Sequence, residues 1–216
     1  MNKILLVTRP KYDNGTEYLS VYASEILKEA KKSNISVKDF EEKEVNKENI
    51  EKYLASKNPK LLFLNGHGNE CEICGHKDKI IFSLTNVNLL KNRITYARAC
   101  FSASVLGCEA VKSNNGCFIG YNYPFSFWID DKWSATPIRD KTASLYLMPS
   151  NEIVLSLLKG KTTKEADNIS RKMMIKNMKK ILAMEQKNEP GATGMLQILW
   201  DNYDGQVVLG NKDASF

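Results

Sequence analysis

The sequence predicts an α/β protein of three layers, in which helices cover both faces of a mostly parallel central sheet. Short apolar runs alternate along the chain with longer segments whose apolar residues recur at helical spacing. Some runs, such as residues 61–64, are apolar at every position, which is typical of strands buried on both faces. With 216 residues, of which 43% are hydrophobic, the chain is long enough for one such domain over residues 1–216.

Strands and helices alternate from the beginning of the chain. The first apolar strand is followed by a polar loop with an Asn14-Gly15 turn signal, after which Thr16 is expected to cap an amphipathic helix. The expected elements up to the third strand are strands over residues 4–8, 35–40 and 61–65, a helix from residue 16, and a charged helix over residues 46–56.

The remainder of the chain continues this alternation and is mainly helical from about residue 138 to residue 216. Pro149 is expected to interrupt a helix, because proline lacks the N–H that a helix interior uses. The expected elements are a hairpin over residues 71–83 that turns at 75–79, helices over 84–91, 102–111, 138–158 and 162–187, strands over 93–99, 117–121 and 206–209, and an aromatic loop over 122–133.

Composition narrows the possible partners and the compartment. The net charge of +6 is small and spread along the chain, so we expect neither nucleic-acid nor membrane binding. The basic helix over residues 162–187 is predicted to be a solvated outer face. No apolar run is long enough for a signal peptide or a membrane helix, and the five cysteines, an odd number, are expected to be reduced thiols in the cytoplasm.

Two apolar strands lead into side chains that can do chemistry. The run over residues 61–65 leads into His67, and the run over residues 93–99 leads into Cys100. A hairpin and a helix between them suit a crossover connection between neighbouring parallel strands, which lie about 4.8 Å apart. Both side chains are therefore expected in one crevice at the carboxyl edge of the sheet, where such folds bind ligands.

A thiol beside an imidazole is a nucleophile with its base. Cys100 attacks as a thiolate, which the N-terminus of the helix expected over residues 102–111 would favour. His67 can donate and accept protons near neutral pH. Gly68 leaves its backbone N–H unobstructed, so this N–H and that of Cys100 would bind an oxyanion. The sequence thus predicts acyl transfer through a thioester, most simply the hydrolysis of a peptide bond.

Residues 65–68 (Asn-Gly-His-Gly) and 98–100 (Arg-Ala-Cys) resemble segments of the caspase-like cysteine peptidases, which include caspases, legumains, clostripain, gingipains and bacterial CHAT-type proteases. The resemblance extends to residues 13–18 (Asp-Asn-Gly-Thr-Glu-Tyr) and to 207–211 (Val-Val-Leu-Gly-Asn), and it covers residues 1–135 better than the rest. Phe101 and Ser102 follow the cysteine in place of the caspase pentapeptide, which favours the gingipain and CHAT side.

This resemblance implies a caspase-like cysteine endopeptidase that needs no cofactor. It assigns Cys100 as the nucleophile and His67 as the general acid and base, without an obligatory third residue. Because caspase-like enzymes differ in their control, activation by calcium and an activating or inhibitory protein partner both stay open. The expected partners are therefore a protein or peptide substrate and a regulator of this kind.

The resemblance also indicates where the substrate side chain would bind. The loop after the first strand supplies a charged residue to the primary pocket, and here Asp13 would suit an arginine or lysine before the scissile bond. Arg98, two residues before the cysteine, lines the same pocket, and its pairing with Asp13 would leave a pocket for a polar or acidic side chain. Trp128 would form a wall of the cleft, and Asp130 with Asp131 would restore a net negative charge to the pocket.

Two other interpretations stay open. A catalytically silent module of the same fold would present the crevice to a peptide or protein partner, and its function would survive replacement of Cys100. A metal site would instead use Cys71, Cys74 and His76, although a structural zinc site usually needs four ligands in two separated pairs.

Overall fold

The structure is a computed structural model that describes residues 3–216. Its strands are β1 (Ile4–Arg9), β2 (Ser36–Glu41), β3 (Leu61–Asn65), β4 (Glu72–Cys74), β5 (Ile80–Ser83), β6 (Ile94–Arg98), β7 (Cys117–Tyr121) and β8 (Gln206–Gly210). Its α-helices are α1 (Asn14–Lys32), α2 (Lys47–Ser56), α3 (Leu106–Val111), α4 (Lys141–Leu158), α5 (Thr163–Glu185) and α6 (Ala192–Gly205).

One mostly parallel sheet organises the fold. Six strands form it in the order β2-β1-β3-β6-β7-β8, and β4 and β5 form a separate hairpin. Only β8, at one edge, runs antiparallel to its neighbour. The pairing of β3 with β6 runs from Leu61 opposite Ile94 to Asn65 opposite Arg98, so the two strands end at the same level. His67 and Cys100 each follow this last pair by two residues.

Alternate side chains of the sheet enter two separate cores. In β1, Leu5 and Val7 pack with α1 and α4 on one face, whereas Leu6 packs with α2, β5 and α3 on the other. This alternation follows from the two-residue period of a strand, and it explains why β3, β6 and β7 are buried at every position. The prediction of a three-layer α/β sandwich with a mostly parallel sheet is confirmed.

Pro149 does not interrupt its helix, contrary to the sequence-based prediction. The helix α4 continues through Pro149 to Leu158. Proline cannot donate to the carbonyl four residues before it, which here is that of Leu145. The buried side chain of Asn177 in α5 donates its Nδ2 hydrogen to this Leu145 carbonyl at 2.8 Å. The acceptor that proline frees is therefore satisfied from a neighbouring helix, and the helix is not broken.

The other differences concern short or glycine-flanked helices. The helix expected over residues 84–91 is a 3₁₀ turn, Val87–Leu90, and the one expected from residue 102 begins only at Leu106. The helix α6 is not among the expected elements, because glycines flank and enter its first turn and favour a loop interpretation. Its inward residues nevertheless recur at helical spacing, as Met195, Leu199 and Asn202.

Gly66 has no room for a side chain. Its φ is +152°, and a Cβ built on it would overlap the carbonyl oxygen of Cys74 in the β4–β5 hairpin. Gly66→Ala is expected to lower the free energy of unfolding by about 3 kcal/mol, because it adds a backbone clash to an unfavourable φ. Urea denaturation measures this loss.

The matched control for that substitution is Gly160→Ala. Gly160 has a φ of +80° but nothing within 4 Å of its built Cβ, so the expected loss is only about 1 kcal/mol. Equal losses for the two variants would contradict the clash with Cys74.

Candidate active site

The ends of β3 and β6 bring His67 and Cys100 to one place. The Gly66 N–H donates to the Arg98 carbonyl at 3.3 Å just beyond the last pair of the two strands. Both predicted side chains line a small cavity of about 50 Å³. The cavity is formed by Gly15, Leu19, Gly66, His67, Arg98, Ala99, Cys100, Phe125 and Phe127. The structure therefore places the imidazole and the thiol in one crevice at the carboxyl edge of the sheet.

His67 is held by a carboxylate. Its Nε2 lies 2.8 Å from Oδ2 of Asp13, and the two side chains are 51% and 39% exposed. With Nε2 engaged in this way, Nδ1 is the nitrogen that makes no hydrogen bond within residues 3–216. The ring of Tyr12 meets His67 edge-on, with centroids 6.1 Å apart. These contacts fix both the position of the ring and the nitrogen that stays free.

Asp13 is in turn fixed by the start of α1. Its Oδ1 accepts from the Thr16 N–H at 2.7 Å and from the Thr16 hydroxyl at 2.9 Å. The Asp13 N–H in turn donates to Thr16 Oγ1 at 3.2 Å, which completes a capping box. The sequence-based expectation that Thr16 caps the helix is therefore wrong, because the capping residue is Asp13. Burial alone would raise the pKa of Asp13, but the hydrogen bonds from Thr16 and His67 outweigh it and lower the pKa below its ordinary value. Asp13 is accordingly an anion at neutral pH.

Cys100 is a partly buried thiol. Its Sγ lies 3.8 Å from the carbonyl oxygen of Phe125, and burial raises the pKa of the thiol. The expected support from a helix N-terminus is wrong, because α3 begins at Leu106 and irregular turns follow the cysteine. Phe101, the next residue, has a φ of +54°, an unfavourable conformation for a bulky side chain that turns the chain sharply after Cys100.

The two backbone donors expected to bind an oxyanion are not used by other backbone carbonyls of the described residues. Gly68 lies opposite Ile73 in an isolated antiparallel β-bridge. The two hydrogen bonds of this bridge are made by the flanking residues: the Cys74 N–H donates to the His67 carbonyl, and the Asn69 N–H donates to the Glu72 carbonyl. Within residues 3–216 neither the N–H of Gly68 nor that of Cys100 donates to a backbone carbonyl, and the Cys100 N–H is directed at its own Sγ. A Cβ on Gly68 would lie 3.3 Å from the Cys100 carbonyl oxygen, so the two residues are close neighbours. Unpaired backbone N–H groups are rare in folded proteins and suit an anionic ligand.

Arg98 lines the same cavity but is completely buried. Its guanidinium donates to Asn65 Oδ1 at 2.6 Å, to Asn151 Oδ1 at 3.0 Å and to the Leu19 carbonyl at 3.0 Å, and it lies over the ring of Phe63. Burial lowers the pKa of Arg98 to about 10. The pairing with Asp13 considered from the sequence does not form, since all these partners of Arg98 are neutral.

Trp128, Asp130 and Asp131 lie outside the residues that line the cavity. The ring of Trp128 packs against Gly191 and Gly194 at the beginning of α6. Asp130 forms an ion pair with Lys132 at 2.6 Å. Sequence reasoning missed Phe125 and Phe127, which wall the cavity from the aromatic loop; their alternate spacing in that loop is the signal that would have indicated a shared face.

The raised pKa of Cys100 predicts slow alkylation at neutral pH, because only the thiolate reacts with iodoacetamide. The rate constant is expected to keep rising with pH beyond the range of a free thiol, whose pKa is about 8.5. Alkylation at a series of pH values, mapped to Cys100 by peptide mass spectrometry, measures this. N-acetylcysteine amide is the control, and fast labelling that is flat with pH would instead demonstrate a resting thiolate.

The metal interpretation gains no geometric support. Within the part of the chain that the structure describes, no three histidine, cysteine, aspartate or glutamate residues are grouped so as to hold a metal ion. This includes Cys71, Cys74 and His76. Likewise, none of the helices between residues 3 and 216 combines the length and the apolar character needed to cross a membrane.

Comparisons with known proteins identify the fold. No protein-family profile and no curated protein sequence matches the chain. A complex of the pro- and mature domains of RgpB from Porphyromonas gingivalis matches 98% of this chain and 48% of its own, with a TM-score of 0.55 and 16% identity. The Arg-specific cysteine proteinase gingipain R (RGPB) matches 99% of this chain and 47% of its own, with a TM-score of 0.56 and 16% identity.

The chain thus spans about half the length of these two solved structures. At 16% identity the likeness concerns the course of the backbone, and the shared feature is a mostly parallel sheet between helical layers. The chain therefore has the caspase-like fold of the gingipain-type cysteine peptidases.

Proposed function

We propose that the chain is a cysteine endopeptidase, one peptidase domain over residues 1–216, with Cys100 as the nucleophile and His67 as the general acid and base. The observation that carries this proposal is the contact of His67 with Asp13, which holds the imidazole at the mouth of the cavity that Cys100 lines. A nucleophile, a base and a group that orients the base are the parts of such a site.

The proposed reaction follows from the protonation states of these groups. The His67 Nε2–H donates to the Asp13 carboxylate, so that Nδ1 carries the lone pair that takes the proton of the Cys100 thiol. The sulfur then bonds to the carbonyl carbon of the substrate, and the carbonyl oxygen becomes an oxyanion. This oxyanion accepts hydrogen bonds from the N–H groups of Gly68 and Cys100. His67 returns the proton to the nitrogen of the leaving amine as the C–N bond breaks and the thioester forms. Water, deprotonated by His67, then attacks the thioester carbonyl, the C–S bond breaks, and His67 gives the proton back to the Cys100 sulfur.

Asp13 has the role of orienting His67 in this proposal, which differs from its expected role in the substrate pocket. Its Oδ1 is occupied by Thr16 and its Oδ2 by His67, and the buried guanidinium of Arg98 lines the same cavity. These contacts remove the basis for the expected cleavage after arginine or lysine. We propose instead that the side chain entering the cavity is not a cation.

A panel of fluorogenic peptides that differ only in the residue before the scissile bond tests both statements, with and without calcium. Cleavage after small, polar or acidic residues is the expected result. Cleavage after arginine or lysine alone would keep the peptidase and reinstate the pocket that the sequence predicts. Absence of cleavage throughout, together with no labelling of Cys100 by thiol-directed peptide probes, would refute the proposal.

Control by a second protein is part of the proposal. One matched structure is a complex of a pro-domain with a mature domain, and this chain spans about half the length of that structure. We propose an activating or inhibitory protein partner for this chain as well. Labelling of Cys100 by a thiol-directed peptide probe only after the partner is added would support this proposal. Full activity of the isolated chain would contradict it.

The raised pKa of Cys100 is the one observation that favours a second candidate, a catalytically silent module that binds peptides. A thiol that stays protonated is a poor nucleophile unless a base removes its proton during attack. The two candidates differ in the Cys100→Ala variant, because peptide binding without turnover would be unchanged in the silent module.

A further inference from the structure

A groove lies between α6 and the segment over residues 122–127, outside the cavity of the candidate active site. Its volume is about 470 Å³, and we call it the α6 groove. The residues that line it include Tyr123, Ser126, Trp200, Asp201 and Asp204.

The wall of the α6 groove is continuous with the candidate active site. The carbonyl of Tyr123 accepts the N–H of Phe101, the residue after Cys100, at 3.1 Å. Two residues further along the same wall, Phe125 places its carbonyl oxygen 3.8 Å from Cys100 Sγ. A peptide whose scissile bond lies at Cys100 therefore extends over this wall within a few residues, because an extended chain spans about 3.3 Å per residue.

The α6 groove combines exposed aromatic rings with unpaired negative charge. Trp200 is 51% exposed and Tyr123 is 44% exposed. Asp201 accepts a hydrogen bond from Gln197, but neither Asp201 nor Asp204 has a cationic partner within residues 3–216. The chain as a whole has a net charge of +6, so this groove is a local reversal of the charge of the protein.

A guanidinium group is the chemical match for this surface. It stacks on the face of an aromatic ring through a cation–π interaction, and it pairs with carboxylates through its planar donors. Resting on the proposed peptidase function, we infer that the α6 groove binds an arginine side chain of the substrate, at a position other than the one directly before the scissile bond. Basic residues near the cleavage site, and not at it, then determine which substrates are cleaved.

The test compares pairs of cleavable peptides that differ only in arginine against citrulline, its neutral counterpart of the same shape. Arginine is placed in turn at each of several positions on either side of the scissile bond. At one position the wild-type protein is expected to favour arginine by about tenfold in kcat/KM. In the double variant Asp201→Asn, Asp204→Asn this ratio is expected to fall to about one.

The matched control is the double variant Glu25→Gln, Glu29→Gln on the exposed surface of α1, which changes the net charge equally and is expected to keep the tenfold ratio. An arginine preference that survives in the groove variant, or that appears at no position, would overturn the inference and leave the peptidase proposal intact. Equal loss of the ratio in both double variants would also overturn it, since net charge would then be the cause.

If no peptide is cleaved, the α6 groove is tested by binding alone, whereas the peptidase proposal is decided by the labelling of Cys100. The Cys100→Ala protein is titrated with acetyl-Gly-Gly-Arg-Gly-Gly-amide and with its citrulline counterpart. The probe is the indole N–H resonance of Trp200, assigned by its absence in Trp200→Phe. A shift with the arginine peptide only, lost in Asp201→Asn, Asp204→Asn, supports the groove, and no shift with either peptide overturns it.

Discussion

Replacing Cys100 by alanine is expected to lower kcat/KM by at least about 10⁴-fold for every peptide that the wild-type protein cleaves. Under the proposed mechanism, alanine removes the atom that bonds to the substrate carbonyl, while the backbone N–H groups of residues 68 and 100 and the His67–Asp13 pair stay in place. What activity remains comes from oriented water and oxyanion binding alone. Initial rates of peptide hydrolysis measure the loss.

Two further measurements make this result specific. The control variant is Cys108→Ala, which removes an exposed thiol in α3 and is expected to keep wild-type kcat/KM. Mass spectrometry of the wild-type protein, quenched in acid during turnover, should show a thioester adduct on the peptide that contains Cys100. Hydrolysis that persists in Cys100→Ala would move the chemistry to a group other than this cysteine.

The second large effect is expected for Asp13→Asn, with kcat reduced by about 100-fold or more and stability almost unchanged. Asparagine is as good a helix cap as aspartate, so the start of α1 is preserved. A neutral amide, however, no longer stabilises the imidazolium that forms during attack, and its NH₂ group can select the wrong tautomer of His67. Single-turnover rates and urea denaturation, measured on the same preparation, separate the two effects.

Asp78→Asn is the control for this variant, because Asp78 is a neighbouring carboxylate that accepts from Tyr12 at 2.6 Å and makes no hydrogen bond with His67. It is expected to keep wild-type kcat. An Asp13→Asn protein with unchanged kcat would limit Asp13 to capping α1. The lowered pKa of Asp13 also sets a direction with pH: its contribution to stability is present above the ordinary carboxyl pKa and is lost as the pH falls through the lowered value.

The sequence predicts the strands that carry the site because their signal is local. The bounds of β3 and β7 match the expected ones, and those of β6 differ by one residue at each end. These strands are short, mostly apolar runs between polar loops, and the parallel pairing of β3 with β6 places the segments after them side by side. The shared crevice of His67 and Cys100 therefore follows from strand order alone.

The features that could not be predicted from the sequence depend on contacts between residues that are distant in the chain. The continuity of α4 through Pro149 requires Asn177 from another helix. The contact of Asp13 with His67 spans 54 positions, and the burial of Arg98 depends on Asn65, Asn151 and Leu19 together. Such hydrogen bonds have no local pattern, because each partner is also common on a solvated surface.

The anchoring of the aromatic loop has a consequence for the order of events during synthesis. The buried side chain of Asn202 in α6 accepts from the Ser126 N–H at 3.1 Å and donates to the Ser126 carbonyl at 2.6 Å, across 76 positions of the chain. This anchor of Ser126, the neighbour of Phe125, thus forms only after the ribosome has translated α6. Under the proposed function, the growing chain acquires its nucleophile long before it can position it. Under the same proposal, we expect the nascent chain not to cut its own unfolded segments before this anchor has formed.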